Sequence, residues 1–275
     1  MGFDLIEFVK VMLIGIIEGI TEWLPVSSTG HMLLFDAFVP LHMTEEFKEM
    51  FFVVIQLGAI LAVVAMFWEK MFPFSLQNKK ISVDNGIIRM WCRVAAACIP
   101  SAVLGFLLDD WLETHFGSPL TIAAMLILYG LAFIFVERRN RNQPPKIFTL
   151  SGIDIKTALI IGLFQVLSMI PGTSRSGATI IGALLLGVSR TAAAEFTFFL
   201  AVPTMLGASA LKILKFGSGF SQSEFITLII GMAVAFAVSM LTVKFLMDYV
   251  RKHDFKAFGV YRIVLGIAVI LICCI

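Results

Sequence analysis

The residues best suited to chemistry lie close to the amino-terminal end of the chain, within residues 15–31. Glu18 and Glu22 are four residues apart, and this spacing places both carboxylates on one face of an α-helix. Pro25 ends that helix, and a polar turn follows it. The turn consists of Ser27, Ser28, Thr29, Gly30 and His31. Paired carboxylates beside hydroxyls and an imidazole are the groups that supply a nucleophile and its general base.

A second polar turn lies 147 residues further along the chain. The positions that correspond at this offset are small or polar: Gly15 and Gly162, Glu18 and Gln165, Ser27 and Ser174, Thr29 and Ser176, Gly30 and Gly177. Each turn is followed by a short apolar segment and then by a long one that opens near an acidic residue, Glu49 or Glu195. The pattern predicts an internal duplication, with repeat 1 over about residues 1–140 and repeat 2 over about residues 147–275.

Both turns precede apolar helices, an arrangement typical of sites that bind an anion. Free backbone N–H groups, hydroxyls and the helix dipole converge at such positions, and Arg175 adds a planar fork that fits phosphate oxygens. The predicted phosphate-binding residues are Ser27, Thr29, Gln165, Thr173, Ser174, Ser176 and Thr179. Ser28 is the candidate nucleophile, and either His31 or Glu22 is the candidate base.

A divalent cation is the expected partner of the acidic pair. Two carboxylates repel a neighbouring phosphate unless a cation lies between them, so we predict Mg²⁺ or Ca²⁺ held by Glu18 and Glu22. The sequence leaves open which of the two metals binds.

The composition indicates that these groups lie within a lipid bilayer. Of the 275 residues, 59% are hydrophobic and 15% are charged, against about 45–50% and about 25% in soluble domains. Ionised residues at the centre of a bilayer cost about 2.5–3.5 kcal/mol each, so the glutamates and Arg175 must compensate one another or a bound ion. The basic residues form no patch with interleaved aromatic residues, and we therefore expect no nucleic-acid partner.

The expected fold is an all-α polytopic membrane protein. A helical span needs about 20 apolar residues, and six stretches qualify: about 49–68, 90–108, 119–137, 191–212, 224–247 and 257–275. Two further segments, about 5–38 and 153–187, are interrupted by the polar turns and are interpreted as re-entrant helical hairpins. We predict a single membrane domain, residues 1–275, built as two inverted-topology repeats.

Basic residues predict the orientation of the chain. Thirteen lie in links on one side: Lys70, Lys79, Lys80, Arg89, Arg138, Arg139, Arg141, Lys146, Lys156, Arg190, Arg251, Lys252 and Lys256. The other side has four: Lys10, Lys48, Lys212 and Lys215. The bias places the first group in the cytoplasm. Both termini then face outward, the hairpins enter from opposite sides, and their polar tips meet in a site that opens outward.

Four segments resemble one family of membrane enzymes. Residues 18–31 (EGITEWLPVSSTGH) and 171–179 (PGTSRSGAT) are similar to the two signatures of the undecaprenyl-diphosphate phosphatases, the bacitracin-resistance family. Residues 54–58 (VIQLG) and 189–196 (SRTAAAEF) extend the resemblance over essentially the whole chain. One position departs from the family pattern, because Phe52 stands where relatives commonly have an acidic residue. We exclude that position from the site.

The resemblance implies an enzyme of the bacterial cell membrane. Such an enzyme hydrolyses undecaprenyl diphosphate to undecaprenyl phosphate and inorganic phosphate, which recycles the lipid carrier for peptidoglycan synthesis and confers resistance to bacitracin. It implies that Glu18 and Glu22 form the acidic pair and that Ser28 is the nucleophile. The remaining implied site residues are His31 and Arg175 as catalytic groups, and Ser174, Ser176 and Thr179 as phosphate contacts.

A secondary transporter or flippase of a phosphorylated polyprenyl lipid is the alternative function, because broken helices in inverted repeats are typical of transporters. A lipid phosphatase of the two-histidine class does not fit, since His42, His115 and His253 are predicted in links outside the membrane. The sequence leaves open whether Ser28 or His31 is the nucleophile, how long the polyprenyl chain is, whether the product lipid is also flipped, and whether the protein is a homodimer.

Overall fold

The computed structural model describes residues 5–77, 80–217 and 219–273. Lys79, one of the basic residues used to predict orientation, lies outside these ranges, as do the ends of the two predicted repeats at residues 1–4 and 274–275. The described helices are α1 (Leu5–Thr21), α2 (Ser28–Phe38), α3 (Glu45–Val54), α4 (Gln56–Met66), α5 (Trp68–Met71), α6 (Asn85–Phe116), α7 (Pro119–Asn140), α8 (Ile155–Val166), α9 (Arg175–Leu185), α10 (Arg190–Phe216), α11 (Gln222–Val250) and α12 (Lys256–Cys273).

Six helical segments of the described chain are long and apolar enough to cross a membrane, which confirms the six predicted spans. They are Glu45–Met66, Asn85–Gly105, Pro119–Asn140, Arg190–Phe216, Gln222–Val250 and Lys256–Cys273. The first is formed by α3 and α4 together, with a break in the helix at Ile55. Pro100 and Pro203 lie inside α6 and α10.

Two elements differ from the expectation. A short antiparallel ribbon, β1 (Phe74–Gln77) and β2 (Lys80–Val83), interrupts the otherwise helical chain, because apolar and polar residues alternate there with the period of a strand. The acidic link predicted at residues 109–118 is mostly helical, since α6 continues to Phe116. Leu104, Leu107, Leu108, Trp111 and Leu112 keep a helical spacing through this segment. His115 therefore lies in the last turn of α6 rather than in a link.

Side-chain caps fix where several of these helices begin. Thr44, Ser118, Asp154, Ser189 and Ser221 each accept a hydrogen bond from a backbone N–H in the first turn of the helix that follows. Such caps satisfy N–H groups that have no partner inside the helix. The first residues of α3, α7, α8, α10 and α11 are thereby defined.

Helices of the two halves of the chain pack in exchanged pairs. Helix α1 packs against α11 and α8 packs against α6, while α2 contacts α12 and α9 contacts α7. Glycines permit the close approach at matched positions: a Cβ atom at Gly15 would collide with the backbone oxygen of Gly231, and one at Gly162 with that of Ala97. Exchanged pairing is what two repeats related by a two-fold axis produce.

Helices α7 and α12 run in opposite directions where they pack together. In the contact between α7 and α12, Gly130 lies against Gly259 and Ala123 lies against Gly266, so the residue numbers rise in one helix as they fall in the other. Two ion pairs show that the first span, formed by α3 and α4, also runs in the opposite direction to α10. Glu49, at the start of the first span, lies 3.6 Å from Lys212 at the end of α10, and Lys70, after the first span, pairs with Glu195 at the start of α10.

The largest apolar cluster surrounds α9 and the first half of α10. Ala192, Ala193, Phe196, Phe198 and Phe199 are buried in it. Buried aromatic side chains of this size supply much of the packing in a helical membrane protein. The cluster holds the second polar turn rigidly against the first.

Candidate active site

The two polar turns have the same backbone conformation. Ser27 and Ser174 have φ angles of 74° and 69°, and they are the two non-glycine residues of the described chain with positive φ. Each serine caps the helix that follows: Ser27 Oγ accepts from the N–H of Gly30 at 3.4 Å, and Ser174 Oγ accepts from that of Gly177 at 3.2 Å. Left-handed serines cost about 1–3 kcal/mol each and cluster at functional sites.

Arg262 joins the two turns. Its Nη1 atom donates to the carbonyl oxygen of Pro25 at 3.2 Å, and its Nη2 atom donates to those of Gly172 at 2.9 Å and Thr173 at 2.8 Å. The side chain is fully buried and lies 5.6 Å from the centre of the Tyr129 ring. One guanidinium therefore fixes the distance between a turn of the first half and a turn of the second.

Arg175 makes the second connection between the turns. Its Nη2 atom donates to Glu22 Oε1 at 3.1 Å, and its Nη1 atom donates to the carbonyl oxygen of Thr197 at 3.0 Å. The Nε atom of the same guanidinium is buried without a hydrogen-bond partner among the described residues. Ser176 Oγ donates to the carbonyl oxygen of Glu22 at 3.1 Å. The Nε–H group of Arg175 thus remains available to a ligand, while Nη1 and Nη2 hold the side chain in place.

Ser28 contacts Glu22 directly. Ser28 Oγ donates to Glu22 Oε2 at 3.1 Å, and both side chains are buried. A hydroxyl within hydrogen-bonding distance of a carboxylate is the geometry of a nucleophile and its general base. The other oxygen of Glu22 bonds Arg175, so one carboxylate orients the hydroxyl and the guanidinium together.

His31 has different partners. Its Nδ1 atom lies 2.7 Å from the carbonyl oxygen of Ser27, and because a carbonyl only accepts, Nδ1 carries the proton. Its Nε2 atom lies 2.7 Å from the hydroxyl of Tyr261, whose ring stacks on the imidazole at a centroid distance of 5.6 Å. Both ring nitrogens are therefore engaged away from Ser28. The sequence left His31 and Glu22 as alternative bases, and the contact to Ser28 in this structure is made by Glu22.

Glu18 lies one helical turn before Glu22 and is fully buried. Both of its carboxylate oxygens are without a hydrogen-bond partner among the described residues. A buried carboxylate without a partner is costly unless a cation or a proton neutralises it. The described residues contain no group of three or more His, Cys, Asp or Glu side chains that could hold a metal. The two glutamates fit a cation such as Mg²⁺, which takes one or two carboxylates and completes its shell with water and substrate phosphate.

The remaining predicted binding residues divide into two groups. Thr173, Ser174, Ser176 and Thr179 lie in or directly after the second turn, where Thr179 Oγ1 is 2.9 Å from Thr197 Oγ1 and Ser174 Oγ is 3.2 Å from Ser176 Oγ. The Thr173 hydroxyl is buried without a partner in the described chain, and Thr29 is exposed at the start of α2. Thr173, Ser174, Ser176 and Thr179 lie within four residues of Arg175 in the chain.

The side chain of Gln165 makes its hydrogen bonds with helices α6 and α10. Its Nε2 atom donates to Ser101 Oγ on α6 at 2.7 Å and to Thr204 Oγ1 on α10 at 3.3 Å. The residue is buried, and its hydrogen bonds within the described chain connect helices rather than the two turns. Phe52, which the sequence excludes from the site, packs against Phe51 with ring centres 6.0 Å apart.

Sequence reasoning missed Arg262, Tyr261 and Thr197 as members of the site. Arg262 had a signal, because an arginine inside an apolar span marks a functional or structural centre. Thr197 acts through its backbone carbonyl and hydroxyl, and Tyr261 acts through a contact across 230 residues. No local sequence pattern identifies Thr197 or Tyr261 as a member of the site.

Comparison with known proteins shows the family to which this chain is similar. The profile of the family described as "Bacitracin resistance protein BacA" matches residues 11–268. A protein of Enterococcus faecalis named undecaprenyl-diphosphatase is 66% identical over 273 residues, which cover 99% of both chains. Proteins of the same name from Desulfitobacterium hafniense and Acetivibrio thermocellus are 56% and 52% identical, over 97% of this chain and 96% and 98% of their own.

Proposed function

This chain belongs to the bacitracin resistance protein BacA family, and we propose that its two polar turns form the active site that hydrolyses undecaprenyl diphosphate. The products are undecaprenyl phosphate and inorganic phosphate, so the reaction recycles the lipid carrier for peptidoglycan synthesis and confers resistance to bacitracin. The observation that carries the proposal is the chain of contacts from Ser28 through Glu22 to Arg175. A transporter needs no hydroxyl held against a carboxylate, and the flippase alternative is not favoured.

The first step is attack of Ser28 Oγ on the terminal phosphorus. The hydroxyl proton passes to Glu22 as the Oγ–P bond forms and the bond to the bridging oxygen breaks, which releases undecaprenyl phosphate. Arg175 Nε and the free N–H groups at the start of α2 and α9 stabilise the charge on the phosphoryl oxygens. Water then hydrolyses the phosphoserine, inorganic phosphate leaves, and Ser28 recovers its proton.

Glu18 and Glu22 are the residues that would hold a divalent cation. Bound there, Mg²⁺ or Ca²⁺ would neutralise part of the diphosphate charge beside the two carboxylates. Arg175 bonds Glu22, whereas both oxygens of Glu18 lack a hydrogen-bond partner among the described residues. A cation between the two carboxylates would offset this charge as well as that of the diphosphate. We therefore expect metal to be required for turnover.

Release of inorganic phosphate by the purified, detergent-solubilised chain tests both statements. The protein should convert polyprenyl diphosphate to monophosphate, excess chelator should abolish the reaction, and added Mg²⁺ or Ca²⁺ should restore it. Glu22→Gln should lose activity that no metal concentration recovers, because it lacks the base, and the residual rate should stay the same at every metal concentration. Full activity in excess chelator would show that the carboxylates serve only as a base and as a partner of Arg175.

The same proposal includes an inverted-topology arrangement of two re-entrant hairpins. The exchanged helix pairs and the opposite directions of α7 and α12 support it. With the basic residues in the cytoplasm, the first hairpin enters from the outer side, the second enters from the cytoplasm, and both termini and the active site face outward.

Thiol labelling in intact cells tests this orientation. In a variant whose four cysteines are replaced, Gln143→Cys in the link between the repeats should be protected from a membrane-impermeant reagent. Gly117→Cys, between α6 and α7, should react. Both positions are exposed, so a lack of labelling reports the side of the membrane and not burial within the protein. The reverse pattern would place the site on the cytoplasmic face.

A further inference from the structure

A cavity of about 1380 Å³ lies between the link joining the two halves and the loop from α9 to α10. Its walls also include the end of α11 and the start of α12, so residues from both halves of the chain form it. The residues of the two polar turns do not line it. The cavity therefore belongs to a different part of the molecule from the active site, and the hydrolysis described above makes no use of it.

The cavity is positively charged. Its lining contains Arg139, Arg141, Lys146, Arg190 and Lys256, against Glu137 and Asp254 as the acidic residues. Both acids are already neutralised. Glu137, buried in the wall, accepts from Arg190 Nε at 2.9 Å and from Arg190 Nη2 at 2.6 Å, and Asp254 pairs with Lys256 at 2.8 Å.

Three basic side chains of the cavity lining remain after these ion pairs are counted. Arg139, Arg141 and Lys146 are exposed, and the salt bridges among the described residues of the cavity involve Arg190 and Lys256 instead. Two helices begin at the cavity, α10 and α12, and three end there, α7, α9 and α11, so the helix dipoles do not set the sign of the site. The three side-chain cations favour an anion.

One wall of the cavity is apolar. Leu184, Leu185, Leu186 and Val188 line it on the side of the second hairpin, and Val250 lines it at the end of α11. A free phosphate makes no favourable contact with apolar side chains. A phospholipid does, because its glycerol and the first carbons of its acyl chains would lie against this wall. All the basic residues that line the cavity are on the side of the membrane that the charge bias assigns to the cytoplasm, where anionic lipids concentrate.

We propose that this cavity is a binding site for the phosphate headgroup of an anionic phospholipid, distinct from the substrate site. Arg139, Arg141 and Lys146 contact the phosphate, and the leucines at the end of α9 contact the upper part of the acyl chains. Because the cavity includes the end of α9, whose first residue is Arg175, the lipid also braces the helix that carries the catalytic guanidinium.

Native mass spectrometry of the purified full chain tests the proposal with three probes: dioleoyl phosphatidylglycerol, dioleoyl phosphatidylcholine and inorganic phosphate. Phosphatidylglycerol should bind, and phosphatidylcholine should bind much more weakly. Arg139→Gln, Arg141→Gln and Lys146→Gln combined should raise the dissociation constant for phosphatidylglycerol by roughly 100-fold, since each basic residue near a lipid surface contributes several-fold.

The matched control removes three other basic residues on the same side. Arg89→Gln, Lys156→Gln and Lys252→Gln make the same change in net charge at exposed positions outside the cavity, and they should alter the dissociation constant by less than about threefold. An equal loss in both triple variants would overturn the proposal in favour of general surface attraction. Tight binding of inorganic phosphate that phosphatidylglycerol does not displace, and that is lost in the triple variant of the cavity, would overturn it in favour of a free-anion site.

Discussion

Replacing Ser28 with alanine is expected to lower kcat by roughly 10³-fold or more, with KM changed by less than about threefold. The variant removes the nucleophile but leaves Arg175, the second turn and the start of α9 intact, so the anion site persists. Phosphate release under saturating substrate, together with a binding measurement on the same preparation, checks both parts of the expectation.

Ser27→Ala is the matched control for this change. Ser27 adjoins Ser28, but its Oγ accepts from the N–H of Gly30 rather than contacting Glu22. Its loss should cost about 1 kcal/mol of stability through the lost cap and should have the milder effect on kcat. The assignment of Ser28 is contradicted if Ser28→Ala keeps near-normal kcat while His31→Ala is inactive. That result would indicate a phosphohistidine, which acid quenching destroys and alkaline quenching preserves.

Arg175→Lys should lower kcat/KM by roughly 10²–10³-fold, with both weaker binding and slower turnover. Lysine keeps the charge, but its single nitrogen cannot reproduce the spacing at which the guanidinium bonds Glu22 and the carbonyl oxygen of Thr197 and still presents Nε to phosphate. Steady-state kinetics with polyprenyl diphosphate separate the two effects.

Arg93→Lys is the control for an arginine replaced within a membrane helix. Arg93 lies on α6 and donates to the carbonyl oxygen of Leu150, away from both turns. It should leave kcat/KM within about threefold of the wild-type value. Equal losses in the two variants would mean that Arg175 acts through helix packing and makes no contact with the phosphate.

The spans and the two turns could be predicted because they depend on local patterns. Apolar length defines a span, and the matched serines at positions 27 and 174 adopt matched conformations because each precedes a helix and caps it. The ribbon β1–β2 was missed because eight residues of alternating polarity are a weak signal beside long apolar helices.

The contacts that assemble the site could not be predicted in the same way. Arg262 reaches Pro25 and Gly172 across 237 and 90 residues, and single-sequence patterns carry no information on such pairs. Gln165 corresponds to Glu18 in the repeat, yet its hydrogen bonds go to Ser101 and Thr204. A shared sequence position therefore gave the right place in the fold but left the contacts of the side chain undetermined.

Arg262 adds a buried charge that the electrostatic argument from the sequence did not include. That argument required Glu18, Glu22 and Arg175 to compensate one another or a bound ion. The partners of Arg262 are carbonyl oxygens and the Tyr129 ring rather than a carboxylate, so it joins the turns without neutralising Glu18. Both oxygens of Glu18 lack a hydrogen-bond partner among the described residues, which keeps Glu18 the expected ligand of a cation.

The central claim, that one turn from each half forms a single catalytic unit, is tested most directly by a double-mutant cycle between Glu22 and Arg175. The quantity measured is kcat/KM for phosphate release by the wild type, Glu22→Gln, Arg175→Lys and the double variant. Since the two side chains bond each other at 3.1 Å, the account predicts that the double variant is within about threefold of the worse single variant. Losses that multiply fully in the double variant would contradict it, because they would show that the two turns act independently.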